Sequence, residues 1–137
     1  MLGFVSSVRP RVRWLLAALL CLPLGLATRP LKSHFEALGS ALGDGLWALL
    51  VFCLVCAAFP AWPLVRRVLL ALALAVLVEV SQLWHFPWLV AVRHTKLGAL
   101  AIGGSFSWGD IVCYAAGIAV GGLFARKPAL PSGENGK

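Results

Sequence analysis

The sequence predicts an all-α membrane protein, a compact bundle of four transmembrane helices with a partly embedded loop between the third and fourth helices. Composition is the first observation: 61% of the 137 residues are hydrophobic and 12% are charged, whereas soluble domains are about 45–50% apolar and about 25% charged. The second is pattern, because the apolar residues form long runs without strand-like alternation. Lipid is therefore the expected solvent, and a disordered chain is excluded.

Four apolar runs are each long enough for a membrane helix. A helix of about 17 residues is about 25 Å long, close to the roughly 30 Å thickness of a hydrocarbon core. Open sheets do not occur in lipid, so the runs are interpreted as helices. The predicted helices lie at about residues 12–28, 40–62, 68–84 and 109–125.

The first run has a second interpretation, as a signal peptide. Basic residues precede an apolar core, and Gly25-Leu26-Ala27 resembles the small-residue site at which signal peptides are cut. Pro30 and the length of the apolar core favour a retained helix. We therefore expect residues 1–27 to remain in the protein, with cleavage as the alternative.

Basic residues set the predicted orientation. We expect one transmembrane domain over residues 1–127 and a disordered cytoplasmic tail at 128–137. The side that carries more Lys and Arg is cytoplasmic, so both termini are placed in the cytoplasm and the net charge of +7 is not taken as a sign of nucleic-acid binding. The cytoplasmic set is Arg9, Arg11, Arg13, Arg66, Arg67, Arg126, Lys127 and Lys137, against Arg29, Lys32, Arg93 and Lys96 on the other side.

The connection between the last two predicted helices, residues 85–108, is long and apolar. Such a segment is expected to lie in the membrane interface or among the helices, where protein protects its backbone. The chain has no phosphate-binding, zinc-protease or nucleophile-elbow motif. Cys53 and Cys56 form a C-x-x-C without a second ligand pair. The sequence therefore predicts no cofactor and no metal.

Polar residues collect at one depth near the outer side. Glu79 lies about 7.5 Å inside the end of the third helix, with Gln82 on the same face, and Tyr114 lies at a matching depth in the fourth. A charged carboxylate is costly in lipid unless a partner stabilises it, so we expect a Glu79–Arg93 ion pair, with Gln82 bonding the loop backbone or a ligand. The candidate ligand-binding residues are Asp44, Glu79, Gln82, Arg93, His94, Asp110 and Tyr114.

A purely structural interpretation stays open for the same residues. Ser107 and Asp110 have the spacing of a capping box at the start of the fourth helix, and Asp44 fits a similar account near the start of the second. The whole set of polar residues would then only fasten the outer loop to the bundle. The functional interpretation is that it also lines a cavity for a ligand or proton.

These motifs resemble a bacterial family, domain of unknown function 2809, over about residues 12–125. The chain also looks like a distant relative of the VanZ-like membrane proteins, which are linked to teicoplanin resistance, although Tyr114 stands where their motif has Asn. The resemblance implies a small bacterial inner-membrane protein without an assigned reaction. The residues that carry it are Gly43-Asp44-Gly45, Glu79-x-x-Gln82, Arg93-x-x-x-x-Gly98, Phe106-x-x-x-Asp110 and Tyr114-x-x-Gly117.

The leading hypothesis is a non-enzymatic envelope protein whose outer polar pocket binds an anionic lipid or glycolipid headgroup. Arg93 and Lys96 would supply the positive charge. One alternative is a small proton-coupled transporter or transport subunit with Glu79 as the protonatable group, and another is an intramembrane enzyme acting on a lipid-linked substrate. The expected partners are membrane lipids, a lipid-linked envelope intermediate among them, and a second copy of the chain.

Overall fold

The computed structural model describes residues 2–103 and 105–126, with side chains from residue 10 onward. No strand occurs in those residues, so the prediction of an all-α chain is confirmed. The predicted tail at 128–137 lies outside the described residues. The helices are α1 (Leu2–His34), α2 (Glu36–Ala58), α3 (Leu64–Ser81), α4 (Pro87–Arg93), α5 (Lys96–Ile102) and α6 (Trp108–Ala125).

Within the described residues, three helices are long and apolar enough to cross a membrane, which indicates a membrane protein: Pro10–His34, Glu36–Ala58 and Trp108–Ala125. α3 is 18 residues long but carries Arg66, Arg67 and Glu79, so composition alone does not assign it as a span. It also begins and ends earlier than the predicted 68–84. The fourth transmembrane helix therefore stays a prediction.

α1 continues past its predicted end at residue 28 and reaches His34. In the sequence, Arg29 and Pro30 look like the start of a loop, yet Pro30 lies inside the helix. Membrane helices tolerate proline because neighbouring groups satisfy the freed carbonyls. The extra turns bring Arg29 and Lys32 onto the helix, where they share a face.

α1 and α2 form a tight antiparallel hairpin with Phe35 between them. A Cβ added to Gly39 would lie 2.5 Å from the backbone nitrogen of Lys32, so the two helices are nearly in backbone contact there. α2 begins at Glu36, before the predicted start at residue 40. It ends at Ala58 rather than residue 62, since two prolines follow.

α2 is the central helix, because it packs against α1, α3 and α6. The contacts depend on small residues: Ala48 on α2 and Ala71 and Ala75 on α3 have no exposed surface. A Cβ on Gly117 of α6 would overlap the carbonyl oxygen of Gly45. Close backbone approach drives helix association in lipid, where burying large apolar side chains gains little.

The segment predicted as a partly embedded loop, residues 85–108, contains two helices, which corrects that prediction. α4 has Pro87 in its first turn, where the missing N–H costs nothing. At the start of α5, the hydroxyl of Thr95 accepts a hydrogen bond of 3.0 Å from the backbone nitrogen of Gly98. Helical pairing inside the segment satisfies backbone groups locally, and this suits an apolar connection close to lipid.

Candidate functional site

Glu79 is the centre of a buried polar cluster between α3 and α6. Its Oε1 accepts a hydrogen bond of 2.6 Å from the backbone nitrogen of Ser107. Its Oε2 accepts from Gln82 Nε2 at 2.9 Å and from Tyr114 Oη at 2.8 Å. Glu79 has no exposed surface, and Gln82 and Tyr114 are each 5% exposed. We call these four residues the Glu79 cluster, and it joins two helices far apart in sequence.

The cluster places the Glu79 carboxylate at the start of α6. Ser107 is the N-cap residue of α6, as the sequence suggested, but its side chain makes no capping hydrogen bond. The predicted capping box with Asp110 is therefore wrong. In a capping box, a carboxyl group from the helix accepts from the N-cap N–H; here Glu79 of α3 does so instead. The unpaired N–H groups and the dipole of a helix N-terminus favour an anion at this position.

Arg93 does not pair with Glu79, contrary to the prediction. Its Nη1 donates to the carbonyl oxygen of Trp84 at 2.9 Å and its Nη2 to that of Ser81 at 2.5 Å. The last carbonyl groups of a helix lack intrahelical partners, and a cation there is favourable. Arg93 thus ties α4 to the C-terminal end of α3, while backbone and side-chain dipoles stabilise Glu79.

The remaining predicted residues lie outside this hydrogen-bond network. Asp44 on α2 and Asp110 on α6 are half-buried, and Asp44 lies within Coulombic range of both Asp110 and Glu79. His94 is exposed at the end of α4. Two polar atoms near the cluster, Gln82 Oε1 and Arg93 Nε, are buried without a partner. Asp44 and Asp110 therefore lie near the cluster without joining its hydrogen bonds.

An open groove of about 630 Å³ lies elsewhere, between α1, α2 and α5. A volume of this size is within the usual range of ligand sites, about 300–1,000 Å³. Most of the lining is apolar, and none of the seven predicted site residues contributes to it. The lining includes Cys21, Gly25, Arg29 and Lys32 of α1, Ser40 of α2 and Leu97 of α5.

One end of the groove is positively charged. Arg29 and Lys32 of α1 both line it and both are exposed. Neither forms a salt bridge with any carboxylate in residues 10–103 and 105–126. Asp44 is within Coulombic range of Lys32, but it does not line the groove. Both side chains are therefore exposed without a salt-bridge partner in the part of the chain that the structure describes.

Sequence reasoning missed this groove because it placed Arg29 and Lys32 in a loop. A helix that continues to His34 puts Gly25, Arg29 and Lys32 at positions i, i+4 and i+7, which lie on one face. That spacing was the available signal. Among the described residues, no group of three or more His, Cys, Asp or Glu side chains is arranged to hold a metal ion.

Comparison with known proteins matches one family. The model described as "Protein of unknown function (DUF2809)" matches residues 33–118. The match covers more than half of the chain and includes α2, α3, α4, α5 and most of α6. No solved structure matches the chain.

Proposed function

The chain belongs to the DUF2809 family, whose description names no activity, and we propose that it is a multi-pass membrane protein that binds an anionic lipid or glycolipid without transforming it. The observation that carries this proposal is the apolar groove with Arg29 and Lys32 at one end. An amphiphile has the same division, an apolar chain joined to a polar headgroup. Arg93 is a weaker candidate for binding the headgroup, since it already donates to two carbonyl oxygens.

The proposed topology has four spans, α1, α2, α3 and α6, with both termini in the cytoplasm of a bacterial cell. α3 supports this because it packs against α2 and α6, which are both long and apolar enough to span. Its length of 18 residues corresponds to about 27 Å, and Arg66 and Arg67 at its start can reach the headgroups by snorkelling. The excess of basic residues on that side favours a cytoplasmic location in the inner membrane.

The length of the groove supports a lipid as the ligand. Its α1 lining runs from Cys21 to Lys32, which corresponds to about 16 Å along a helix. Half of a hydrocarbon core is about 15 Å. The groove therefore matches one leaflet, with Cys21 near the middle of the membrane and Lys32 at the level of the headgroups.

The proposal moves the headgroup site away from the predicted polar pocket. In the Glu79 cluster, both carboxylate oxygens already accept hydrogen bonds, and Glu79, Gln82 and Tyr114 are buried. Transport or catalysis at Glu79 would need that carboxylate to face a ligand. The groove lining contains no carboxylate or imidazole, which favours binding over proton transfer or acid–base chemistry.

Filling the groove tests the proposal. A Cβ added to Gly25 would meet no atom within 4 Å, so Gly25→Leu places a side chain in open space and removes a helix-destabilising glycine. We expect the variant to fold at least as well as the parent protein and to retain less lipid. Native mass spectrometry of the full chain extracted in detergent measures the bound lipid.

The matched control is Gly109→Leu, because Gly109 is exposed, does not line the groove, and its Cβ would lie 3.5 Å from Ser107 Oγ, an ordinary contact. The control should keep its lipid. Equal lipid retention by a folded Gly25→Leu protein would contradict binding in the groove.

A further inference from the structure

The charged end of the groove carries two cations on one wall and almost nothing of opposite charge. Arg29 and Lys32 are three residues apart on α1, so their side chains lie on one face of the helix. Ser40 of α2 adds a hydroxyl group from the opposite wall. A guanidinium can donate two parallel hydrogen bonds to a planar or tetrahedral oxyanion, and an ammonium adds a point charge beside it.

The rest of the lining is neutral, which discriminates among headgroups. A zwitterionic headgroup carries an ammonium that needs an acidic partner. No Asp or Glu lines the groove, so that ammonium would face Arg29 and Lys32 without compensation. A phosphodiester headgroup carries one negative charge, while a phosphomonoester carries about −1.5 to −2 at neutral pH. Two unpaired cations match the phosphomonoester best.

We propose that the groove selects a membrane amphiphile whose headgroup is a phosphomonoester, held by Arg29 and Lys32 with its chain along α1. This inference rests on the proposed function and specifies its ligand class. A monoester exposes three oxygens rather than two, so it can satisfy the guanidinium and the ammonium together. The apolar lining supplies the remaining affinity and restricts the site to lipids rather than free phosphate.

The test compares lipids that differ only in the headgroup. The detergent-extracted full chain is titrated at pH 7.5 with phosphatidic acid, phosphatidylglycerol and phosphatidylethanolamine of identical acyl chains, and with inorganic phosphate alone. We expect phosphatidic acid to bind at least about tenfold more tightly than phosphatidylglycerol, because about half to one further negative charge faces two cations in a partly apolar site. Inorganic phosphate should bind far more weakly than either anionic lipid.

Charge-removing variants show where the preference arises. Arg29→Ala/Lys32→Ala should reduce the preference for phosphatidic acid to less than about twofold, since both cations are lost. The control Arg66→Ala/Arg126→Ala removes the same net charge from exposed residues that do not line the groove, and it should keep the preference. Thermal unfolding of each variant verifies that it is folded.

The outcomes separate this inference from the proposed function. One outcome is that Gly25→Leu abolishes lipid binding, but the parent protein binds phosphatidic acid and phosphatidylglycerol with equal affinity. This outcome overturns the phosphomonoester inference and leaves the proposed lipid binding intact. If the parent protein binds no lipid at all, both the phosphomonoester inference and the proposed function are overturned. If inorganic phosphate binds as tightly as phosphatidic acid, the site recognises the anion alone, and this contradicts a lipid ligand.

Discussion

The Glu79 cluster and the groove both contain ionisable residues in an apolar protein, but their hydrogen-bonding capacity is used differently. In the cluster, three donors converge on one carboxylate with no exposed surface. In the groove, Arg29 and Lys32 are exposed and form no salt bridge with the described residues. An ionisable residue in so apolar a protein is therefore a candidate for ligand binding only when its polar atoms remain available.

The comparison assigns the two regions different roles. The cluster connects α3 to the start of α6, so its loss should reduce stability. The groove lies between α1, α2 and α5, and its cations form no salt bridge within the described residues. Changes in the cluster should alter unfolding without altering the lipid retained per folded molecule, and changes in the groove should do the reverse.

The largest effect is expected for Glu79→Ala. The substitution leaves the N–H of Ser107, the amide of Gln82 and the hydroxyl of Tyr114 without their acceptor, so we expect a loss of about 2–5 kcal/mol in the free energy of unfolding. Unfolding in detergent, followed by tryptophan fluorescence, measures the change. The control Glu36→Ala removes an exposed carboxylate at the start of α2 and should be nearly silent. A stable Glu79→Ala protein that loses its lipid would reverse the two roles.

Arg93→Ala should have the next largest effect. It removes two hydrogen bonds that tie α4 to the end of α3, and we expect a loss of about 1–2 kcal/mol of stability, because the guanidinium is only half-buried. The control is Lys96→Ala, which removes an exposed cation of α5. Lipid retention by the folded fraction should be unchanged in both proteins. Loss of lipid without loss of stability would return the headgroup site to Arg93.

The smallest effect is expected at the edge of the cluster. Tyr114→Phe removes one donor to Glu79 Oε2 and should cost about 0.6 kcal/mol, the average for a side-chain hydrogen bond between membrane helices. Gln82→Met removes the other donor but also a buried Oε1 that has no partner, so its cost should be smaller still. Unfolding curves of the two variants, measured under the same conditions, show which variant loses more free energy of unfolding. A larger loss for Gln82→Met would mean that Gln82 Oε1 has a partner.

Helical geometry in the sequence predicted the positions of three cluster residues but not their hydrogen bonds. The rise per residue predicts Glu79 and Tyr114 at one depth, and the i, i+3 spacing predicts Gln82 on the same face as Glu79. That Gln82 and Tyr114 both donate to the Glu79 carboxylate was not predicted. The partner of Arg93 did not follow, because charge alone suggested the nearest acid. Its actual acceptors are backbone carbonyl oxygens, which every sequence contains and which become available only where a helix ends.

The groove was not predicted because it depends on where α1 ends, and the predicted helix ended at residue 28 instead of His34. The sequence Arg29-Pro30 is typical of a loop in a soluble protein, whereas α1 continues to His34. The hairpin geometry at Gly39 then brings α2 against α1. A cavity formed by three helices also depends on their packing, which the pattern of one chain does not specify.

α1 supplies a complete wall of the groove, and this has a consequence for biogenesis. Signal peptidase cutting after Ala27 would release Cys21 and Gly25 with the leader and would leave Arg29 and Lys32 on a short new N-terminus. A processed chain and a lipid-loaded chain would therefore be mutually exclusive products of the same gene. The mass of the mature polypeptide therefore indicates whether a sample keeps α1 and can bind lipid in the groove.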